Sequence, residues 1–241
     1  MSPNNAAGFN WRRLWPLAVL AAGFALFFAT GANEYLSIAA LREHRAALAS
    51  FVADNAMTAA LLFMLLYIMV VAFSLPGGAL MTIVGGFLFG TVLAGLCVVI
   101  GATVGATLVF LAAKTALGDY LRAKAGPALQ KMEAGFRENA FSYLLVLRLV
   151  PVFPFFLVNL VPAFLGVPLR TYVVATFLGI IPGTFVYAQV GTGLGSVLES
   201  GEDFSLSGIL TPDVVVALCG LAVLAMLPVA YKWWRGRRRP R

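Results

Sequence analysis

Apolar residues run along this chain in blocks too continuous to be the buried faces of soluble helices. The first block, Leu14 to Thr30, follows Arg12 and Arg13 and reads as a first spanning helix. A cleaved signal peptide ending at the small residues Ala29 to Ala32 is the other reading, but the apolar length is near the lower limit for a span rather than that of a short signal core. Glu34 to Ala56 is patterned differently. Leu36, Ala40, Leu48, Phe51 and Val52 alternate with Arg42, Glu43 and Arg45, as in a helix lying on a membrane surface. From Met57 to Ala113 no side chain is charged, yet Leu75 to Gly78 interrupts the run and Gly85, Gly86 and Gly90 follow. This predicts a helix to Ser74, a reversal at Pro76 to Gly78, a short return helix to Phe89, and a full span from Thr91 to Ala113.

Lys114 to Asn139 is the one sizeable polar loop, predicted as short amphipathic helix broken at Gly126 and Pro127. The next stretch, Arg148 to Gly166 (RLVPVFPFFLVNLVPAFLG), is almost wholly apolar but carries a guanidinium, three prolines and an amide. Pro151 and Pro154 each remove a backbone donor and push the preceding residue out of the helical region, so a helix arriving through Phe141 to Leu149 breaks near Val150 to Phe153. At membrane depth, broken backbone survives only when buried in protein or lining a wet cavity. A span from about Thr171 to Val190, a loop from Gly191 to Pro212 and a last span from Asp213 to Tyr231 complete the pattern, with Trp233 and Trp234 at an interface.

The two interrupted segments match. Pro76 to Gly90 ends in Phe-Leu-Phe-Gly, Pro151 to Gly166 ends in Ala-Phe-Leu-Gly, and the spans that follow carry small pairs four apart, Gly101 with Gly105 and Gly179 with Gly183. Paired short segments broken by Gly and Pro in corresponding halves point to an inverted repeat whose broken helices meet at a central site. The predicted fold is therefore an all-α integral membrane protein, an inverted repeat of re-entrant hairpin plus transmembrane helix, with four full spans and two re-entrant hairpins. Its parts are an N-terminal helix and surface helix (1–56), a core (57–195, hairpins about 57–90 and 140–166, spans about 91–113 and 171–190) and a C-terminal helix with a basic tail (196–241).

Composition agrees and narrows the chemistry. Of the 241 residues 61% are hydrophobic and 11% charged, against roughly a quarter charged in soluble domains. Cys97 and Cys219 lie inside apolar runs and His44 is the only histidine, which leaves no disulfide framework, metal cluster, or Ser/His/Asp or Cys/His set in the membrane core. No cofactor and no enzymatic activity are expected. The C-terminal arginines beside a span and two tryptophans are a topology signal rather than a nucleic-acid patch. If both hairpins return to their own side, the basic loops and both termini face the cytoplasm and the acidic loop of Glu199, Glu202 and Asp203 faces out.

LPGGALMTIVGGFLFG, GATVGATLVFLAAK and LRLVPVFPFFLVNLVPAFLGVPLRTYVVATFLGIIPGTFVY, in this order, resemble the bacterial branch of the SNARE-associated, or VTT-domain, family of the DedA superfamily, over about residues 57 to 195. The resemblance implies two facing re-entrant helices in a bacterial inner membrane and lipid traffic, namely recycling of undecaprenyl phosphate or phospholipid scrambling. Carried over by position, the family's glycine-rich hairpin falls on Pro76, Gly77, Gly85, Gly86, Phe89 and Gly90. Its Arg-x-x-Pro motif falls on Arg148 and Pro151, with Pro154 and Asn159 after it. One departure matters: typical members have an acidic residue in the first hairpin, and here no carboxylate occurs from Met57 to Ala113. Proton coupling through such a group is not carried over.

Arg148 can be argued without the family. A guanidinium at helix centre costs about 2.5 to 3.5 kcal/mol on insertion scales, so it faces protein, water or headgroups. Three roles stay open: binding an anionic ligand such as a phosphate, snorkelling to the headgroups, or capping the carbonyls of broken helices, with the amides of Asn159 and Gln189 as further acceptors. Three functions follow. The leading one is a lipid transporter or scramblase whose partners are membrane lipids, including anionic lipid phosphate. The others are a secondary transporter of a small anion and a non-transporting scaffold.

Overall fold

The computed structural model describes residues 14–31, 38–124, 136, 139–149, 154–200 and single positions between 220 and 234. Of helical residues 38–42, 117–124 and 194–200 it describes only the backbone. Pro151, most of the polar loop, and most of the predicted last span and basic tail lie outside the described residues.

Every regular element described is a helix: α1 (Trp15–Ala29), α2 (Ile38–Asp54), α3 (Ala56–Ala72), α4 (Gly78–Lys124), α5 (Ala140–Leu149), α6 (Phe155–Phe164) and α7 (Leu169–Ser200). Two described stretches are long and apolar enough to cross a membrane, Gly78–Ala116 in α4 and Leu169–Gly193 in α7. The predicted first span forms a helix of 15 residues, short of the roughly 20 that a bilayer core needs. The segment predicted as a surface helix is helical from Ile38 to Asp54, and its part from Glu43 to Asp54 meets α3 at 120°.

The breaks fall where Gly and Pro stand. α3 ends at Ala72, Ser74 and Gly77 take positive φ (54° and 111°), and the exposed Pro76 lies between them. α4 is two helices joined at Gly90, whose φ of 74° and ψ of 168° lie in a region open essentially to glycine alone. Pro154 caps α6, and Gly166 (φ 68°) turns the chain from α6 into α7. The glycines that end the two matched motifs therefore both adopt positive φ. Element ends differ more. α4 continues past Ala113 to Lys124 and α7 past Val190 to Ser200, because the residues beyond the apolar limit, such as Lys114, Ala116 and Leu117, still favour helix.

α4 and α7 pack antiparallel along most of their length. A Cβ on Gly86 would meet the Ala188 carbonyl, one on Gly191 the Ile83 carbonyl and one on Gly95 the Phe185 ring, while at the other end Tyr172 reaches the Ala106 carbonyl. Without a hydrophobic force between helices in lipid, such close approach through small residues supplies the packing. α3 lies on α4, with Gly101 beside the Met64 carbonyl and Gly105 beside that of Ile68. α5 lies on α7 and α6 on α4. Leu61, Leu62, Leu65 and Met69 of α3, Val92, Leu96 and Ile100 of α4, and Val174 and Leu178 of α7 are exposed, a surface suited to lipid.

Candidate functional site

Arg148 is the penultimate residue of α5, and its side chain turns into the junction of α5, α6 and α7. The turn is possible because residue 179 is glycine: a Cβ there would lie 2.7 Å from the Arg148 Cβ. Nη2 of Arg148 donates towards Asn159 Oδ1 (2.8 Å), Tyr172 Oη (2.9 Å) and Thr176 Oγ1 (3.1 Å). Tyr172 Oη in turn donates to Asn159 Oδ1 (3.0 Å) or to the Ala106 carbonyl (3.3 Å), tying α4 into the set.

All these acceptors are neutral. Asn159 and Tyr172 are 0% exposed and Thr176 1%, whereas Arg148 is half-buried. The guanidinium carbon lies 5.6 Å from the centre of the Tyr172 ring, which stacks on Phe110 (4.3 Å), and Lys114 lies over that second ring (5.6 Å). Two donors in the middle of this set, Arg148 Nε and Asn159 Nδ2, are buried without a hydrogen-bond partner among the described residues. Leaving a buried donor unmade costs about 1 to 3 kcal/mol, more for a charged group.

The sequence-derived candidates divide into two groups. Arg148 and Asn159 come together, with Pro154 exposed at the start of α6 and Pro151 outside the described residues. Gly85, Gly86, Phe89 and Gly90 gather at the far end of α7. A Cβ on Gly85 would meet the Phe63 ring, which packs on Phe89 (5.4 Å), and Gly86 abuts Ala188. Ala188 follows Tyr172 by 16 residues on α7, about 24 Å of helix. Pro76 and Gly77 belong to the reversal before α4, where Tyr67 Oη and Thr82 Oγ1 share a hydrogen bond (3.0 Å) and Thr82 donates to the Gly78 carbonyl (2.8 Å). Gln189 does not reach Arg148; it accepts a hydrogen bond from Thr91. Tyr172, Thr176 and Gly179 are the site residues that pattern reading missed. Their signal was the four-residue spacing of Tyr172 and Thr176, which puts both hydroxyls on one helical face.

Apolar helices, an apolar outer surface and a guanidinium held inside by neutral side chains define an integral membrane protein with a polar site in its bundle. Residues 75–193 match the VTT domain. The chain is 31% identical over 185 residues to Transmembrane protein 41 homolog of Dictyostelium discoideum, covering 75% of this chain and 53% of that protein. It is 32% identical over 170 residues to Transmembrane protein 41B of Homo sapiens and to that of Mus musculus, covering 69% of this chain and 56% of each relative. The chain thus spans about half the length of the curated relatives it matches. No solved structure matches it. The chain belongs to the VTT-domain proteins of the DedA superfamily.

Proposed function

We propose that this protein moves phospholipid or undecaprenyl phosphate between the leaflets of a bacterial inner membrane, as a transporter or scramblase, with the headgroup phosphate held by Arg148 and Asn159. The observation that carries the reading is the pair of buried donors without a partner among the described residues, Arg148 Nε and Asn159 Nδ2, on side chains whose Nη2 and Oδ1 are already engaged by neutral groups. A planar fork of N–H donors suits a phosphate, and no carboxylate from Met57 to Ala113 or from Asn139 to Leu169 competes for it.

The path for the lipid is a cleft between two re-entrant hairpins, α3 with the first part of α4, and α5 with α6. Helices α5 and α6 have 10 residues each, about 15 Å, half of a ~30 Å hydrocarbon core. The matched glycines Gly90 and Gly166, and the parallel packing of Gly101 against Met64 and Tyr67 and of Gly179 against Leu145 and Arg148, support two copies of one unit. The antiparallel course of α4 and α7 supports their opposite orientation. Both termini then face the cytoplasm.

The test is reconstitution of the full chain into liposomes, scoring transbilayer movement of fluorescent phospholipid and of undecaprenyl phosphate against Arg148→Ala. Movement by the native chain and its loss in the variant is the expected result. Uptake of free phosphate without lipid movement would instead identify a small-anion transporter, and no movement of either would identify a scaffold.

A further inference from the structure

A second polar set sits on the same helix pair, at the end away from Arg148. Where α4 leaves its break at Gly90, Thr91 Oγ1 donates to Gln189 Oε1 (2.7 Å) and lies 2.9 Å from Thr192 Oγ1. Thr192 Oγ1 is also 3.1 Å from the carbonyls of both Gly86 and Ala188. The proton count orders this cluster. Thr91 gives its single proton to Gln189, so Thr192 gives its own to Thr91 or to one of the two carbonyls. Both hydroxyl protons are consumed inside the cluster, and the donor left over is the amide N–H group of the exposed Gln189. Gln189 and Thr192 are exposed and Thr91 half-exposed.

The backbone frame around these side chains is closely packed. Gly86 and Gly191 each lie so close to a carbonyl of the facing helix that a Cβ would collide with it, and Gly90 holds a conformation reserved for glycine. Gln189 follows Thr176 by 13 residues on α7, about 20 Å of helix, and Thr91 precedes Ala106 by 15 on α4, about 22 Å. The antiparallel pair therefore carries a polar set at each end. One has Arg148, with Lys114 and the exposed Arg170 at the same end; the other consists of neutral hydroxyls and an amide. A protein that passes lipids between leaflets must accept a headgroup at both ends of its path.

Resting on the lipid movement proposed above, we propose that Thr91, Gln189 and Thr192 form a second headgroup site, which binds the phosphodiester of lipids in the leaflet opposite to that served by Arg148. The Gln189 amide donates to the phosphate oxygens. Being neutral, this site holds the headgroup less firmly than the guanidinium does.

The discriminating variant is Gln189→Glu, compared with Gln189→Leu, in the full chain reconstituted into phosphatidylcholine vesicles with fluorescent phosphatidylcholine as probe. Glutamate keeps an acceptor for Thr91 and so preserves the link between the helices, but it replaces the remaining N–H donors with oxygen. Both variants are expected to slow lipid movement about tenfold or more, the loss of one hydrogen bond to a charged group, with melting of Gln189→Glu unchanged. Native-rate movement by folded Gln189→Glu would show that the cluster only clamps α4 to α7 and would overturn the site. Loss of folded protein in both variants would overturn it in the same way. Failure of the native chain to move any lipid is a separate outcome, since it removes the parent reading itself.

Discussion

Arg148 ties three helices together through one nitrogen while another of its nitrogens is buried without a partner among the described residues. Its structural role and its proposed ligand role can therefore be separated by substitution. Lysine keeps the charge and can reach one of the three neutral acceptors, but it loses the fork that pairs with a phosphate. Arg148→Lys is expected to express and melt near the native protein yet impair lipid movement nearly as much as Arg148→Ala; a fully active lysine variant would favour simple snorkelling. Gly179→Ala tests the same site from behind, since its Cβ would displace the stem of Arg148. Activity should fall while the rest of the bundle holds, and restoring the native rate by pairing it with a shorter residue at 148 would contradict the phosphate role. Arg148 and Asn159 were legible in the sequence because polar groups in an apolar stretch need partners. Tyr172 and Thr176 were not, because a tyrosine and a threonine inside a span are equally at home as filler. Gln189 was read as a further acceptor for Arg148, and only the three-dimensional register of α4 against α7 assigns it to Thr91.

At the scale of elements, glycine decides both where helices break and how close they come. Gly90→Ala forces a φ of 74° with ψ of 168° on a residue with a Cβ, a strain of about 1 to 3 kcal/mol. Gly86→Ala drives a methyl group into the Ala188 carbonyl, an overpacking cost of about 1 to 3 kcal/mol or more because backbone cannot step aside. Both variants should lower the melting temperature in detergent, whereas Gly183→Ala, whose Cβ meets open space, should leave it unchanged. Equal melting of all three would mean that α4 and α7 do not pack as described. The positions of the breaks were readable because Pro and Gly act locally. Helix ends were not: the apolar limit at Ala113 marks where lipid stops, while the helix itself runs on through residues that water tolerates. The shortness of α1 escaped pattern reading for the converse reason, since apolar length sets what can enter the membrane and not how many residues close the hydrogen-bonded ladder.

For the whole molecule the testable quantity is which side of the membrane each loop occupies. The stretch from Lys114 to Asn139 and the C-terminal tail are rich in Lys and Arg, the charged residues from Gly191 to Pro212 are all acidic, and basic segments stay in the cytoplasm. Two hairpins that each return to their own side keep this arrangement and let the two halves enter from opposite faces. After replacement of Cys97 and Cys219, single cysteines at Ser50 and Ser200 are expected to react with an impermeant thiol reagent in intact cells, and ones at Ala128 and Arg239 only after permeabilisation. Ser50 adds a second check, because it lies on α2, the helix that precedes α3 and meets it at 120°. Labelling of Ala128 from outside would invert the molecule and place the Arg148 end, with Lys114 and Arg170, in the outer leaflet. The proposed orientation with both termini in the cytoplasm would then fail, even if lipid movement itself survived.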